Sequence, residues 1–243
     1  MKYKKIVLSV VSILFFMLGV VFEIAVSGGV LWGELETRVY TPQSGGLNLV
    51  LHCPLILSFT ETGTISTLIS NSLDEEAQPM VIAELSRNGE AQEFSEILDL
   101  TPRASKTMLW NVDASNMIFG RLILVSVLQR AYRDLPSRQG YCGILLLNIL
   151  GLNGKQMLIL LCSISLLCLI LGAVIWFRIH APMNEQQKTV ARSFGSLATF
   201  TSIGLIAALL RWWGFIIILD GIALILVGVI FTEVLFNPRQ GGR

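Results

Sequence analysis

The stretch IVLSVVSILFFMLGVVFEIAV, residues 6–26, decides the class of this chain, because Glu23 is its only charged residue. A helix of about 20 apolar residues crosses the hydrocarbon core of a bilayer, so residues 1–26 are predicted to contain a transmembrane helix. A signal peptide is the alternative, since lysines precede the stretch and residues 25–27, AVS, fit a small-residue cleavage site. The apolar run exceeds the about 7–15 residues of a signal core, which favours a retained anchor.

Three further apolar stretches follow later in the chain. Residues 157–177 read MLILLCSISLLCLILGAVIWF, and residues 194–236 contain two runs separated by a short turn. The whole chain is only 14% charged, against roughly 25% in soluble domains, so its composition also favours a membrane protein. We therefore expect four transmembrane helices, with residues 194–236 forming an antiparallel hairpin. The third apolar stretch, residues 194–210, is short and spans a membrane only marginally unless it packs against its neighbours.

Basic residues predict the topology, because they are enriched in cytoplasmic loops. They cluster before the first helix, between the second and third, and after the fourth: Lys2, Lys4, Lys5, Arg178, Lys188, Arg192, Arg239 and Arg243. Four crossings would place all three clusters on one side. The N-terminus, the loop 178–193 and the tail 237–243 are thus predicted to be cytoplasmic at the cell membrane, and residues 27–156 extracytoplasmic. Trp176, Trp212 and Trp213 would lie at the membrane interfaces.

Residues 47–150 have a different pattern, in which short apolar runs alternate with turn signals. About seven or eight strands are indicated, with the turn spacing of a sandwich or barrel. Asn88 and Gly89 predict a hairpin turn, and Ile65, Thr67 and Ile69 alternate with their neighbours in part. Residues 120–132, GRLILVSVLQRAY, also admit a helical interpretation.

In outline, residues 47–150 resemble an immunoglobulin-like sandwich, on their strand rhythm and Trp110. The predicted fold class is therefore membrane α plus extracytoplasmic all-β. Four transmembrane helices would carry an immunoglobulin-like β-sandwich inserted between helices 1 and 2. Cys53 and Cys142 would lie in an oxidising compartment, which favours a disulfide over two separate buried thiols.

Residues 27–46 are interpreted as a linker. It would climb the side of the β domain, with residues 35–40 as an edge strand, and bring residues 130–140 to the far pole. There Arg130, Arg133 and Arg138 are candidates for binding an acidic partner or headgroup; the alternative is a solvated turn.

Asp220 is the one acidic residue in the interior of the last apolar run, about 10–12 Å from its outer end. An intramembrane carboxylate normally faces other helices and a partner. Candidate partners are Arg211, Thr199, Thr201 and Ser202, and Glu23 lies at a similar depth. Asp220 could join helices through hydrogen bonds, contact another subunit, or bind a proton or cation together with Glu23.

No catalytic constellation is present in the sequence. His52 and His180 would lie on opposite sides of the membrane, and the acidic turn SLDEE at residues 72–76 lacks the spacing of a calcium loop. We therefore expect no enzyme activity, no cofactor and no metal site.

These observations favour a non-enzymatic membrane scaffold or accessory subunit that presents a β domain for protein binding. Its expected partners are membrane lipid and other membrane or extracytoplasmic subunits. Nucleic acid is not expected, because the net charge is only +1. The layout is also similar to that of mechanotransmission ABC permeases, with residues 182–193 as a coupling helix, and to that of claudin-like proteins. An ion or proton pathway through Asp220 is a further alternative.

Overall fold

The computed structural model describes residues 2–40, 47–87, 90–149, 151–182 and 185–236. Within these ranges one helix precedes a nine-stranded β-sheet domain, and three helices follow it. The helices are α1 Lys2–Tyr40, α2 Gly154–His180, α3 Glu185–Leu209 and α4 Trp213–Phe236. The strands are β1 Leu47–Asn48, β2 Leu51–His52, β3 Ile56–Leu57, β4 Gly63–Ser70, β5 Met80–Arg87, β6 Glu90–Ile97, β7 Ser105–Val112, β8 Leu122–Gln129 and β9 Arg138–Leu146.

The chain divides into two compact units. The helical unit comprises Met1–Leu31 with Ile159–Arg243, and the β unit comprises Trp32–Leu158.

The prediction of four transmembrane helices is corrected to three for the described residues. Stretches in α1, α2 and α3 are long and apolar enough to cross a membrane. α4 runs from Trp213 to Phe236, and within it the apolar stretch whose side chains are described is Trp213–Gly228.

The predicted linker is also wrong over its described part, because residues 27–40 continue α1 as a helix of 39 residues. At 1.5 Å per residue α1 is about 58 Å long, nearly twice a bilayer core. The edge strand expected at residues 35–40 is therefore absent, and residues 41–46 lie outside the described residues.

The immunoglobulin-like sandwich is wrong as well. One sheet has the order β1-β9-β8-β5-β6, with β3 also paired to β9; the other has the order β2-β4-β7. Both β1 and β3 pair with β9 in parallel, whereas the immunoglobulin fold is built of two antiparallel sheets. The fold class is thus an N-terminal helix, a mixed β-sheet domain and three further helices.

Side-chain alternation places the core of the β unit. In β4 the buried side chains Ile65, Thr67 and Ile69 alternate with more exposed ones, as the period of a strand requires. β8 is a strand buried on both faces at nearly every position, so the helical interpretation of residues 120–132 is wrong. Both sheets contribute to one apolar core. The turn predicted at Asn88 and Gly89 lies outside the described residues.

The helical unit packs through small residues. A Cβ added to Gly19 of α1 would lie 2.8 Å from Leu169 Cγ, and one added to Gly172 of α2 would lie 2.8 Å from the Phe16 nitrogen. Without glycine at these positions the backbones of α1 and α2 could not approach so closely.

The connection between α2 and α3 is shorter than predicted. Residues 185–193, expected in a loop or a separate coupling helix, form the first turns of α3. Arg211 occupies the turn between α3 and α4 with φ 57°. Trp176, expected at a membrane interface, is buried in the helical unit, whereas Trp212 and Trp213 are exposed. The predicted tail 237–243 lies outside the described residues.

Candidate functional site

The candidate site is a polar cluster buried in the helical unit. Asp220 of α4 accepts a hydrogen bond of 2.7 Å at Oδ2 from Ser27 Oγ of α1. Glu23, one turn before Ser27, accepts a bond of 3.1 Å at Oε1 from Ser202 Oγ of α3. Glu23, Ser27 and Asp220 are all buried. Two hydrogen bonds therefore link α1 to α3 and α4.

Asp220 lies at a junction of three helices. A Cβ added to Gly204 of α3 would lie 3.0 Å from Asp220 Oδ1, so this glycine leaves room for the carboxyl group. Among the described residues, neither Oδ1 of Asp220 nor Oε2 of Glu23 has a hydrogen-bond partner. Each carboxyl group thus has one oxygen that is hydrogen-bonded and one that has no hydrogen-bond partner among the described residues.

The sequence analysis identified Glu23, Asp220 and Ser202 as candidates, but it predicted a different hydrogen-bond partner for Asp220. Ser202, expected beside Asp220, binds Glu23 instead. Thr199 is exposed, and its hydroxyl donates to the Gly195 carbonyl of its own helix at 2.8 Å. Arg211 lies in the α3–α4 turn, nine residues before Asp220 in the sequence. Ser27 was missed because the sequence placed it in a linker.

The disulfide predicted between Cys53 and Cys142 is formed. It joins the segment after β2 to β9 over a sequence separation of 89 residues. Cys142 is completely buried, and its neighbour Gly143 lies under the end of α1.

The end of α1 packs onto β9 within the β unit. A Cβ added to Gly33 would lie 3.2 Å from Gly143 Cα, so the helix and the strand meet backbone to backbone. Thr37 is buried one turn later, and Arg38 lies 5.7 Å from the ring centroid of Tyr141 in β9. These contacts explain why a segment with several glycines is helical.

The three arginines of the basic loop before β9 have different surroundings. Arg133 forms an exposed ion pair of 3.1 Å with Glu75 and lies 5.4 Å from the Tyr132 ring centroid. Arg138 begins β9 and its Nη1 lies 3.5 Å from Ser70 Oγ. Arg130 is exposed. Binding of an acidic partner by these three arginines stays a prediction.

The acidic turn at residues 72–76 is a solvated ion-pair network. Asp74 accepts a bond of 2.7 Å from Arg103, and that hydrogen bond and charge lower the pKa of Asp74. Glu75 pairs with Arg133. No cluster of three or more metal-ligating side chains occurs among the residues that the structure describes.

The outer face of the three-stranded sheet is uncharged. The outward pairs of β4 and β7 include half-buried Ser66 opposite Leu109, and Leu68 opposite Thr107. Leu68 and Leu109 are therefore diagonal neighbours, and they are 56% and 64% exposed. The neighbouring strand β2 adds His52, paired with Ser66.

The comparisons with known proteins show no family. No family model matches the chain, and neither does any curated protein. Among solved structures, the CARDB domain of a Pyrococcus furiosus protein in complex with di-metal ions is 7% identical. The match covers 41% of this chain and 86% of the CARDB chain, at a TM-score of 0.31.

Two enzymes are similar at the same level. Red sea bream transglutaminase is 11% identical over 48% of this chain and 18% of its own, at a TM-score of 0.34. Bacteroides uniformis β-glucuronidase is 17% identical over 40% of this chain and 12% of its own, at a TM-score of 0.29. With TM-scores below 0.5, these likenesses carry no argument about fold or function.

Proposed function

We propose that this chain is a non-enzymatic integral membrane protein that presents its β unit outside the cell as a scaffold or accessory subunit for another protein. The observation that carries the proposal is that the helical unit has polar side chains in its interior and apolar side chains on its surface. The side chains of Ser12, Glu23, Ser27, Ser165, Thr201 and Asp220 are buried there.

The outer surface of the same helices is apolar. Only 22% of the most apolar part of α2 is buried. Large exposed side chains occur on all four helices, among them Leu14, Val21, Leu167, Ile170, Ile203, Ile206, Ile218 and Ile225. A water-soluble domain rarely exposes such a contiguous apolar surface, and contact with lipid accounts for it.

The positive charges support one orientation. Lys4 and Lys5 lie at the start of α1, and Arg178 and Arg192 flank the connection between α2 and α3. The positive-inside tendency then places these ends in the cytoplasm and the β unit outside. The Cys53–Cys142 disulfide supports the same side, since disulfides persist in oxidising compartments.

For the partner surface we propose the uncharged outer face of β4 and β7, with Leu68 and Leu109 at its centre. Interface cores are depleted in charge and enriched in apolar contacts. This face therefore suits a partner domain that presents an uncharged, apolar patch of its own, and it offers little to an acidic partner.

Membrane insertion and orientation can be tested together. Extraction at alkaline pH should leave the full chain in the membrane fraction. In a variant lacking Cys162 and Cys168, a cysteine replacing exposed Ser95 should react with an impermeant thiol reagent in intact cells. A cysteine replacing Ala181 should react only after lysis. The opposite labelling pattern would reverse the orientation, and release at alkaline pH would contradict membrane insertion.

The partner is tested by co-purification of the full chain in mild detergent. Proteins that bind through β4 and β7 should no longer co-purify with the Leu68→Lys and Leu109→Lys variants. Ile97→Lys is the matched control, because Ile97 is also 64% exposed but lies on β6. Equal recovery from all three variants would refute this surface. An ATPase among the bound proteins would favour a transport component instead.

A second candidate, a proton pathway, is favoured by the unpaired carboxyl oxygens of Glu23 and Asp220. Proton flux through reconstituted protein should then fall in Asp220→Asn, which preserves the shape of the side chain. A flux at the level of empty liposomes in the unmodified protein would refute this candidate.

A further inference from the structure

One end of the helical unit contains an apolar cavity of about 260 Å³ between α1, α2 and α3. Phe16, Leu169, Trp176, Phe194 and Ala198 are among its lining residues. An apolar cavity of about 150 Å³ is sufficient to bind benzene, so this cavity holds on the order of ten carbon atoms. Besides Trp176, Ser12 contributes a polar side chain to the lining of the cavity. Its hydroxyl already donates a hydrogen bond of 2.6 Å to the Gly172 carbonyl.

Trp176 has a donor without an acceptor. The residue is only 9% exposed, and its Nε1 is buried with no hydrogen-bond partner among the described residues. Its ring packs edge-on against Phe194 at 5.6 Å between centroids. A buried indole N–H normally has a partner, so an acceptor supplied by a bound molecule would satisfy it.

A polar recess lies next to the cavity. Lys5, Ser9, His180 and Gln187 line it together with apolar side chains. The His180 ring stacks on the Trp176 ring at 4.0 Å between centroids, so the two rings join the recess to the cavity. A polar recess beside an apolar cavity has the shape of a site for an amphiphile.

The charge at this end is positive. Lys5 lines the recess, and Arg178 and Arg192 follow lining residues of the cavity in the sequence. In the part of the chain that the structure describes, none of these three forms an ion pair, whereas Lys188 pairs with Glu185 at 2.7 Å. An anionic headgroup would therefore find unneutralised cations here.

We propose that this end of the helical unit binds one anionic phospholipid from the cytoplasmic leaflet. An acyl chain occupies the cavity, an ester carbonyl accepts the hydrogen bond from Trp176 Nε1, and the phosphate lies near Lys5. The proposal rests on the membrane insertion proposed above, because the lipid is drawn from the bilayer around the protein.

Gly195 gives a direct test. It lines the cavity, it is exposed, and a Cβ added there would meet nothing within 4 Å, so Gly195→Leu adds a side chain at the mouth of the cavity without a clash at its first atom. Gly221 of α4 has the same open surroundings but does not line the cavity, which makes Gly221→Leu the matched control. Trp176→Phe retains the aromatic ring and removes only the N–H, and Lys5→Gln removes the charge.

Binding is measured by native mass spectrometry of the full chain in detergent, titrated with dioleoyl phosphatidylglycerol or dioleoyl phosphatidylcholine. One phosphatidylglycerol should bind the unmodified protein and Gly221→Leu, in preference to phosphatidylcholine. Gly195→Leu should weaken this binding at least about tenfold, and Trp176→Phe about three- to tenfold, the effect of one hydrogen bond. Lys5→Gln should reduce the preference for phosphatidylglycerol.

Two results would overturn the lipid site. One is equal affinity of the unmodified protein and Gly195→Leu for phosphatidylglycerol, and the other is equal affinity of the unmodified protein for the two lipids. Either result in a chain that resists alkaline extraction refutes the lipid site while membrane insertion stands. Release of the chain at alkaline pH refutes membrane insertion itself.

Discussion

Ser27 on α1 donates a hydrogen bond of 2.7 Å to the carboxyl group of Asp220 on α4, although 193 residues separate them in the sequence. The bond satisfies one oxygen of a buried acid and joins the first helix of the chain to the last. It makes Asp220 a contact among three helices, with Gly204 of α3 beside it. The sequence analysis had named Arg211 and hydroxyl residues of α3 as candidate partners of Asp220, but not Ser27.

Replacing Ser27 with alanine should destabilise the helical unit. The change removes the donor to Asp220 Oδ2, so neither carboxyl oxygen then has a hydrogen-bond partner among the described residues. Leaving a buried polar group without its partner costs about 1–3 kcal/mol. Thermal unfolding in detergent should show a lower midpoint. Thr199→Ala is the control, because Thr199 is exposed and bonds only within its own helix; its effect should stay within about 0.5 kcal/mol. Equal midpoints for the two variants would contradict the role of Ser27.

Removal of the disulfide should destabilise the β unit. Closing a loop of 89 residues stabilises a domain by about 4–5 kcal/mol in the chain-entropy model. Adding a reductant should therefore lower the unfolding midpoint of the unmodified protein. The double variant Cys53→Ala with Cys142→Ala should unfold at the lower midpoint with or without reductant. A midpoint that does not respond to reductant in the unmodified protein would be evidence against the bond.

Alanine substitutions at two glycines of α1 should have different effects on stability. Gly33→Ala brings a Cβ to 3.2 Å from Gly143 Cα and should destabilise the β unit, since two backbones must separate. Gly28→Ala meets nothing within 4 Å and should be neutral or stabilising by up to about 1 kcal/mol, because alanine favours helix. Chemical unfolding of both variants measures the difference. Similar effects at the two positions would argue against the contact between α1 and β9.

Glu84 should make the β unit less stable as pH rises. Burial, and then the charge of Glu93 opposite it, raise the pKa of Glu84 above its usual value. The folded state therefore holds this proton more tightly than the unfolded state. The resulting stability is present below the unfolded pKa and is lost as pH rises through the folded pKa.

Glu84→Gln should remove this dependence and raise the unfolding midpoint at neutral pH relative to the unmodified protein. Unfolding midpoints from pH 4 to pH 7 measure both effects. Glu90→Gln serves as the control, since Glu90 is exposed near the end of the same hairpin. Parallel pH profiles for the unmodified protein and Glu84→Gln would show that Glu84 does not contribute.

Much of the local structure could be predicted from the sequence. Apolar stretches placed the helices, since about 20 consecutive apolar residues have few other uses in a protein. Period-two patterns and turn residues placed the longer strands, such as β4 with Ile65 and Ile69 inward. The pairing of Cys53 with Cys142 followed from their being the two cysteines outside the apolar helices.

The helical end of α1 could not be predicted, because Gly28 and Gly33 favour a linker by intrinsic propensity. Contact with β9 outweighs that propensity, and glycine at position 33 is what permits the contact. The parallel pairing of β1 and β3 with β9 was equally hidden, since the side chains of parallel and antiparallel strands alternate with the same period.

The sequence by itself determined which segments are apolar, which connections between them carry positive charge, and that two acids lie within apolar helices. Those properties depend on composition and local periodicity. Only the tertiary structure decided that Ser27 binds Asp220, that Ser202 binds Glu23, and that a cavity lies beside Trp176. Each of these depends on the approach of residues far apart in the chain, and no local pattern specifies that distance.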